Sequence, residues 1–466
     1  MGVFRLRIES FFQELKDAKK TVAFIGVGVS NNDCIKLFLK HGIKTQVRDR
    51  RSDIGEIAGE FRALGAELIL GEDYMEDIDA DVIVRAPGVF YNSPAIKKAR
   101  EQGKVVTSEM ELFFSLCPCK IIAITGSDGK TTTSAVTAEM LKKAGKTVWL
   151  GGNIGKALLP EIEKIKEEDY AVVELSSFQL ESMRSSPHIA AVKNVEPNHL
   201  DVHGTMEEYI GAKLNILSHQ DAFSRAVLNA DNEVTRDMAK LVRGELKWFS
   251  TSGKTVRGTL LDEDGYLCSC DGVSKTRIFH RSEIKLPGLH NVDNYLTAMA
   301  ILEGIVSGED MLAVAREFGG VEHRIEFVRE LDGVRWYNDS IASNPTRVIA
   351  GLRSFGRKIA IIAGGYDKKI PYEPMAPVVC EYVKLLILMG ATADKIEAAV
   401  KSHPDFNADE MKIIRVSGME EAVKAARENT VEGDIVSLSP ASASFDLYRN
   451  FEERGRHFKS IVMQLS

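Results

Sequence analysis

No apolar run in this chain is long enough to cross a bilayer as a helix. Nor does it open on the apolar core of a secretory leader: Met1 to Lys20 carries charges throughout and reads as an amphipathic helix. Cysteine is scarce, six in 466 residues, and the two close pairs, Cys117-Pro118-Cys119 and Cys268-Ser269-Cys270, have C-x-C spacing rather than the C-x₂₋₄-C of structural zinc. A disulfide framework and a zinc knuckle both drop out, which leaves free thiols in a reducing compartment. There is no surplus of positive charge either. Sixty Lys and Arg against 67 Asp and Glu give −7, the wrong sign for a protein whose main partner is a nucleic acid. Repeats, low-complexity tracts and disordered linkers are absent from the pattern. The expectation is a cytoplasmic protein that inserts into no membrane and binds no nucleic acid.

What is present is the composition of an ordinary globular enzyme, 44% hydrophobic and 27% charged. The length suggests about three domains. Short β-type runs alternate with helical stretches from end to end, so the fold class is α/β. The divisions are expected at 1–107, 108–319 and 320–466: an N-terminal Rossmann-like domain, a central mononucleotide-binding domain of the phosphate-loop type and a C-terminal Rossmann-like domain.

The centre of the pattern is Lys120 to Thr133. An apolar strand, Lys120 to Thr125, runs into Gly126-Ser127-Asp128-Gly129-Lys130-Thr131-Thr132, and a helix follows from Ser134 to Lys143. Glycines let such a loop fold back so that several N–H groups converge, and the helix N-terminus adds its positive end. Lys130 can neutralise a phosphate, and the Thr131 hydroxyl can reach Mg²⁺. The first glycine of the full G-x-x-x-x-G-K-T spacing would fall at Ile124, so this is a shortened form.

Around it stand polar loops at the ends of strands, where open α/β sheets bind ligands. Thr21 to Ile25, Gly26-Val27-Gly28-Val29-Ser30-Asn31 and a second strand ending near Asp49 form a βαβ unit with G-x-G and an acid about twenty residues on. Asn31 replaces the third glycine of the dinucleotide signature, so the turn either holds a nucleotide or its sugar, or binds nothing. Glu174 ends the run Tyr170 to Leu175 and is a natural Mg²⁺ ligand, or a surface Glu that happens to end a strand. Asn194 to Gly204 gathers His199, Asp201 and His203 in one loop. Lys213 lies on a helix from Glu207 to Ser218, and on the residues alone it is a solvated surface lysine. Asn294 sits at the start of an alanine-rich helix, where it either caps the helix or holds a base. Further polar loops run through His323-Arg324, Asn338-Asp339-Ser340, Gly364 to Lys369 and Ser439 to Asp446.

In this order the loops resemble the Mur ligase family, whose members add amino acids to the peptide of the peptidoglycan precursor. Thr125 to Thr132 looks like its ATP loop, and Asn198-His199-Leu200-Asp201, Lys213 in Ala-Lys-Leu, His290-Asn291, His323-Arg324 and Asn338-Asp339-Ser340 match its further blocks. Within the family, Glu174 to Glu181, Ser439 to Ser444 and Asn450 to Gly455 are similar to the branch that takes D-glutamate, and the Asp-Asn-Pro-Arg block of the diaminopimelate-adding branch is missing. The resemblance implies ATP, UDP-N-acetylmuramoyl-L-alanine and D-glutamate as substrates, an acyl-phosphate intermediate, two Mg²⁺ ions and a monomer. It assigns catalysis to Lys130, His199, Lys213 and Arg324, with Lys213 carbamylated. Metal would be held by Thr131, Glu174, His199 and Lys213. ATP would be held by Gly126 to Thr132 together with Asn294, Arg324 and Asp339. Val29, Ser30, Asp49 and Arg50 would hold the uridine diphosphate, Asn153 and His199 would face the muramoyl substrate, and Ser343, Lys368 or Lys369, Ser444 and Phe451 would receive D-glutamate.

One departure stands out: the family's Asn-Asp-Ser-Lys-Ala-Thr-Asn block carries Ile341 in place of its Lys and Ser343 in place of its Thr. Three other readings compete. Another amino-acid ligase of the same fold group, such as a folylpolyglutamate synthase, would not need the first domain. A non-catalytic nucleotide sensor would not need Glu174, His199 and Lys213 together. A dinucleotide oxidoreductase rests only on Gly26-x-Gly28.

Overall fold

The computed structural model describes residues 2–28, 30–197, 200–254, 257–286 and 288–466. The chain separates into two compact units, Met1–Glu317 and Phe318–Ser466. Two sheets belong to the first and one to the second, each wrapped in helices as the β/α alternation predicts.

The first sheet comprises β1 (Thr21–Ile25), β2 (Lys44–Asp49), β3 (Glu67–Leu70), β4 (Val82–Arg85) and β5 (Val105–Ser108), in the order β3-β2-β1-β4-β5. All its pairings are parallel. The second has nine strands: β6 (Lys120–Thr125), β7 (Val148–Gly152), β8 (Tyr170–Glu174), β9 (Ile189–Val192), β10 (Arg225–Asn229), β11 (Glu245–Ser250), β12 (Arg257–Leu261), β13 (Tyr266–Asp271) and β14 (Lys275–His280). Their order is β14-β13-β12-β11-β10-β9-β6-β8-β7, parallel up to β12 and antiparallel in the closing meander. In the second unit β15 (Glu326–Leu331), β16 (Val334–Asn338), β17 (Ile359–Gly364), β18 (Val383–Met389), β19 (Lys412–Arg415) and β20 (Ile435–Leu438) run β15-β16-β20-β17-β18-β19. Only the hairpin β15–β16 is antiparallel there.

The central strands are apolar on both faces because helices cover both sides. Ile121 to Ile124, Ala171 to Val173 and Ile359 to Ile362 are nearly or wholly inaccessible. In the first sheet β1 is central, and the strand order reverses between it and β4, so the glycine turn after β1 lies at a switch point, where such sheets bind ligands. In the second sheet β6 lies between β8 and β9, which places the phosphate loop beside the ends of both neighbours. The helix after that loop spans Lys130–Lys143, four residues longer at its start than the sequence pattern suggested. Gly129, at φ +76°, takes the left-handed cap position, so the helix can begin directly at Lys130.

All six cysteines are free, and the Sγ atoms of Cys117 and Cys119 are 3.5 Å apart. No helix among the described residues is long and apolar enough to cross a membrane.

Candidate active site

The phosphate loop is held open by groups that arrive from other elements. Asn194, just beyond β9, accepts the Ser127 and Asp128 N–H groups on its Oδ1, each at 2.9 Å, and its carbonyl also takes the Ser127 N–H. The Ser127 hydroxyl donates to the Glu196 carbonyl and lies 3.1 Å from the Tyr209 hydroxyl. Lys130 folds back over the loop, donating to the carbonyls of Gly126 at 2.8 Å and Ser127 at 2.9 Å. Thr131 is buried and Thr132 half-buried at the helix start, while Asp128 is exposed at the loop tip. Asn294 accepts from the Thr133 hydroxyl at 3.1 Å and donates to Asn291, so the start of the helix Leu289–Leu302 is tied to the phosphate-loop helix.

Lys213 is not a surface lysine. On the helix Met206–Ser218 it occupies the same apolar face as Tyr209, Ala212, Ile216 and Leu217, and it is 1% exposed. Its Nζ reaches under the phosphate loop, donating to the Gly126 carbonyl at 2.9 Å and lying 3.3 Å from the Thr125 hydroxyl and 4.8 Å from the Tyr209 ring. Burial, reinforced by the positive charge of Lys130, pulls its pKa down to about 7. Burial and the Lys130 charge thus both favour the neutral amine over the ammonium.

Glu174 ends β8 opposite Ile124 of β6 and is almost wholly buried. Its Oε1 accepts from the Asn153 side chain at 2.9 Å, whereas Oε2 is buried without a hydrogen-bond partner among the described residues. An unpartnered buried carboxylate oxygen is costly unless something else satisfies it. A carboxylate oxygen is the kind of ligand Mg²⁺ takes, although no group of three or more His, Cys, Asp and Glu among the described residues is arranged to hold a metal. Asn153, which the resemblance places against the muramoyl substrate, spends its amide N–H on Glu174 here. His199 and Asn198 lie outside the described residues. Beyond them, His203 is buried, 2.9 Å from the Ser177 hydroxyl and stacked on Phe178.

The turn after β1 is built differently. Asp49 accepts the Val27 N–H at 2.6 Å and both the backbone N–H and the guanidinium of Arg51. Burial works against its charge, but these donors outweigh burial and hold its pKa below the ordinary value. Asn31, fully buried, donates to the Gly26 carbonyl at 2.9 Å and stitches the turn in place of the missing glycine. Ser30 is half-buried, Arg50 is exposed, and Val29 lies outside the described residues. From the end of β4, the buried guanidinium of Arg85 reaches the Phe178 carbonyl at 3.0 Å and the Ser182 hydroxyl at 2.7 Å, joining the first sheet to the segment after Glu174.

In the second unit the loops after β16 and β20 meet on one residue, and the loop after β17 joins them. Arg454 is 1% exposed, and its guanidinium donates to the Ser340 hydroxyl and carbonyl and to the carbonyls of Ser442 and Ala443, at 2.9–3.1 Å. The Tyr366 N–H in turn bonds the Ala443 carbonyl. Ser444 is buried, Ser343 and Phe451 are half-buried, and Lys368 and Lys369 are both exposed. Phe451 accepts the Ser340 hydroxyl on its carbonyl. Asp339 is buried with its Oδ1 3.2 Å from the Ile325 N–H, and burial raises its pKa to about 7 against the opposing pull of Arg324 and Arg347. Arg324 is exposed between His323 and Ile325, both at positive φ (66° and 44°), an uncommon pair of strained residues in a segment read as functional.

Asn194, Tyr209, Arg85 and Arg454 escaped assignment in the sequence reading. Arg454 carried a signal: it is in phase with Phe458 and Val462 on the buried face of the helix Phe451–Gln464. The Asn194 contact spans 67 residues of chain, and no local pattern announces it.

Comparison with known proteins gives the same frame. The Mur ligase MurD-like N-terminal domain matches residues 20–108, the Mur ligase middle domain matches 124–302, and the Mur ligase glutamate ligase domain matches 323–442. The UDP-N-acetylmuramoylalanine--D-glutamate ligase of Acetivibrio thermocellus is 47% identical over 461 residues, 98% of either chain. That of Clostridium botulinum is 45% identical over 98% of this chain and 100% of its own. Among solved structures, the UDP-N-acetylmuramate-alanine ligase of Thermotoga maritima superposes with a TM-score of 0.57 at 18% identity, covering 95% of this chain and 99% of its own. A pseudomurein peptide ligase of Methanothermus fervidus does so with 0.53 at 17%, covering 96% and 100%. Three matched domains in sequence order, and near-half identity along almost the whole length, leave one conclusion: the chain belongs to the Mur ligase family.

Proposed function

We propose that this protein is an ATP-dependent ligase that joins D-glutamate to UDP-N-acetylmuramoyl-L-alanine, releasing ADP and phosphate, as a monomer in the cytoplasm. The observation that carries the choice of substrate is full-length similarity to ligases bearing that activity in their names. In division of labour, residues 1–107 take the uridine nucleotide, 108–319 the ATP, and 320–466 the amino acid.

The alanyl carboxylate attacks the γ-phosphorus of ATP and ADP leaves. The amine of D-glutamate then attacks the carbonyl carbon of the acyl phosphate, and phosphate leaves as the amide forms. Both steps need positioning and charge neutralisation more than covalent help from the protein. The loop amides from Gly126 to Thr132 and the ammonium of Lys130 meet the phosphates. Asn294, Arg324 and Asp339 bind ATP by the family pattern. Thr131, the unpartnered oxygen of Glu174, His199 and Lys213 are the groups that would hold two Mg²⁺ ions, which supply charge neutralisation and fix the reacting oxygens. Lys213 would serve as a carbamate: its neutral amine adds to CO₂, an N–C bond forms, one N–H proton is released, and the anionic carbamate oxygens would be available to Mg²⁺. Ser30, Val29 and Arg50 receive the uridine diphosphate at a turn whose shape Asp49 holds through the Val27 amide. Asn153 orients Glu174 and, with His199, borders the muramoyl substrate. Ser343, Lys368 or Lys369, Ser444 and Phe451 receive D-glutamate.

ADP release with the muramoyl-alanine nucleotide tests the reading. D-Glutamate should support turnover, and L-glutamate, L-lysine and glycine should not; turnover with another amino acid would assign a different branch. Lys213→Ala should keep the fold and lose at least about 100-fold in kcat, by analogy with loss of an electrostatic group. Native mass spectrometry under CO₂ should show one added carbamate. An unmodified Lys213 in fully active enzyme would remove that part.

A further inference from the structure

Lys193 follows the last residue of β9 and is one of the two lysines buried to 1% exposure. The other is Lys213, under the phosphate loop. The Lys193 backbone is fixed on both sides: its N–H donates to the Thr125 carbonyl at 3.0 Å, and its carbonyl accepts from the Asn229 side chain at 2.9 Å. Its side chain then runs along the phosphate loop. A Cβ on Gly126 would lie 3.0 Å from Lys193 Cβ, and a Cβ on Gly129 would lie 2.5 Å from Lys193 Cε and 2.6 Å from Asn294 Oδ1. The loop glycines thus press directly on the lysine stem and on the Asn294 amide. Beyond the loop, the ammonium ends 2.5 Å from Asp293 Oδ2 and 3.3 Å from the Thr297 hydroxyl, both on the helix Leu289–Leu302, with the Phe249 ring 5.6 Å away.

The arrangement is a strut. One end is anchored in the central sheet, the middle supports both glycines of the loop, and the charged end holds the helix residue next to Asn294. An aliphatic residue would fill the same space without tying the helix down. A buried ammonium paired with a single carboxylate does tie it, because separating the two leaves an uncompensated charge. Asp293 is 20% exposed, so the pair sits at the edge of the site rather than deep in the core.

We propose that Lys193, through its ion pair with Asp293, is a positioning residue for the nucleotide: it fixes the phosphate loop against the Asn294 helix and so sets affinity for ATP and ADP without taking part in the transfer steps. The proposal rests on the reading that this loop binds ATP. Its consequence is a split between binding and turnover. A loop that must be ordered by the ligand binds it more weakly, and once bound the loop presents the same amides to the phosphates.

Calorimetric titration with MgADP tests this without either of the other substrates. Lys193→Met keeps the stem and removes the charge; Asp293→Asn keeps the shape and removes the counter-charge at a position partly open to solvent. Each should raise the dissociation constant at least about tenfold, and the double variant should be no weaker than the weaker single one, since the two groups act as a unit. In steady-state assays the KM for ATP should rise by a similar factor, while kcat and the KM values for D-glutamate and the uridine nucleotide stay within about twofold. Wild-type affinity in folded Asp293→Asn, or a parallel loss in kcat and all three KM values, overturns the proposal. If Lys193→Met does not fold, Asp293→Asn alone decides it. Failure of the wild-type protein to bind MgADP would instead overturn the phosphate-loop reading, and this proposal with it.

Discussion

The central site and the loops of the second unit are organised in opposite ways. Around the phosphate loop two basic side chains are buried and already engaged: Lys213 and Lys193 are both 1% exposed, and Asn194 holds two loop amides. In the second unit the lysines expected to meet D-glutamate are exposed, and the buried cation, Arg454, is spent on four bonds that gather the loops. The difference is the one expected if the ligands are those proposed above. A polyphosphate is recognised by backbone amides, which must be in place before it arrives because they cannot be recruited afterwards. A small amino acid offers two carboxylates and an amine, which flexible side chains can reach once the loop floor is rigid. The first site is pre-organised down to its charges, the second only down to its backbone.

That contrast predicts where a single substitution hurts most. Lys130→Ala removes the ammonium folded back onto the Gly126 and Ser127 carbonyls, and its loss should cost about 3 kcal/mol of transition-state stabilisation, on the order of 100-fold in kcat/KM. Single-turnover ADP release measures it directly. A variant within a few-fold of wild type would mean that the fixed amides suffice and that the charges are incidental.

Arg454→Lys sharpens the other half. Lysine keeps the charge but lacks the planar fork that reaches the Ser340, Ser442 and Ala443 acceptors together. Buried carbonyls left without a donor cost about 1–3 kcal/mol each. The loops should loosen, and the KM for D-glutamate should rise roughly tenfold with the KM for ATP unchanged. An unchanged KM for D-glutamate would show that the acceptor site does not depend on this gathering of loops.

The parts legible in the sequence are those set by local pattern. β1, β6, β8 and β17, and the strand, glycine turn and helix around Lys130, follow from apolar runs and glycine spacing, whereas β10 and β11 lie outside the runs described in the sequence. Lys213 was half legible. It stands in phase with Tyr209, Ala212, Ile216 and Leu217, and a lysine at an apolar-face position is a sign of burial that composition alone conceals. Asp49 shows the limit. Its position at the end of β2 is a sequence fact, but that its oxygens are taken by Arg51 and Val27 depends on how the turn after β1 closes. Asn194 and Lys193 reach the phosphate loop only because β9 lies beside β6, a pairing that joins residues far apart in the chain.

The two sites also titrate in opposite directions, which gives the finest test of the comparison. Asp339, in the second unit, is buried, and its folded pKa is raised from 3.8 to about 7. Between those values the native state holds a proton that the unfolded chain has released, so stability falls as pH rises through this window. The contribution is fully present below 3.8 and is gone above about 7. Lys213, in the central site, has its folded pKa lowered from 10.5 to about 7. There the unfolded chain holds the proton and the native state does not, so stability rises with pH over that range, and below about 7 the burial penalty is carried in full. The two windows adjoin without overlapping, and each substitution should flatten one of them. Relative to Asp339→Asn, the wild-type melting midpoint should fall as pH is raised toward 7, at about 2–4 °C per kcal/mol for a domain of this size. Relative to Lys213→Met, it should climb above pH 7, in a metal-free and CO₂-free buffer that keeps the amine unmodified. If both differences ran the same way, the opposed electrostatics of the two regions would be wrong, and the contrast between them would have to rest on the backbone alone.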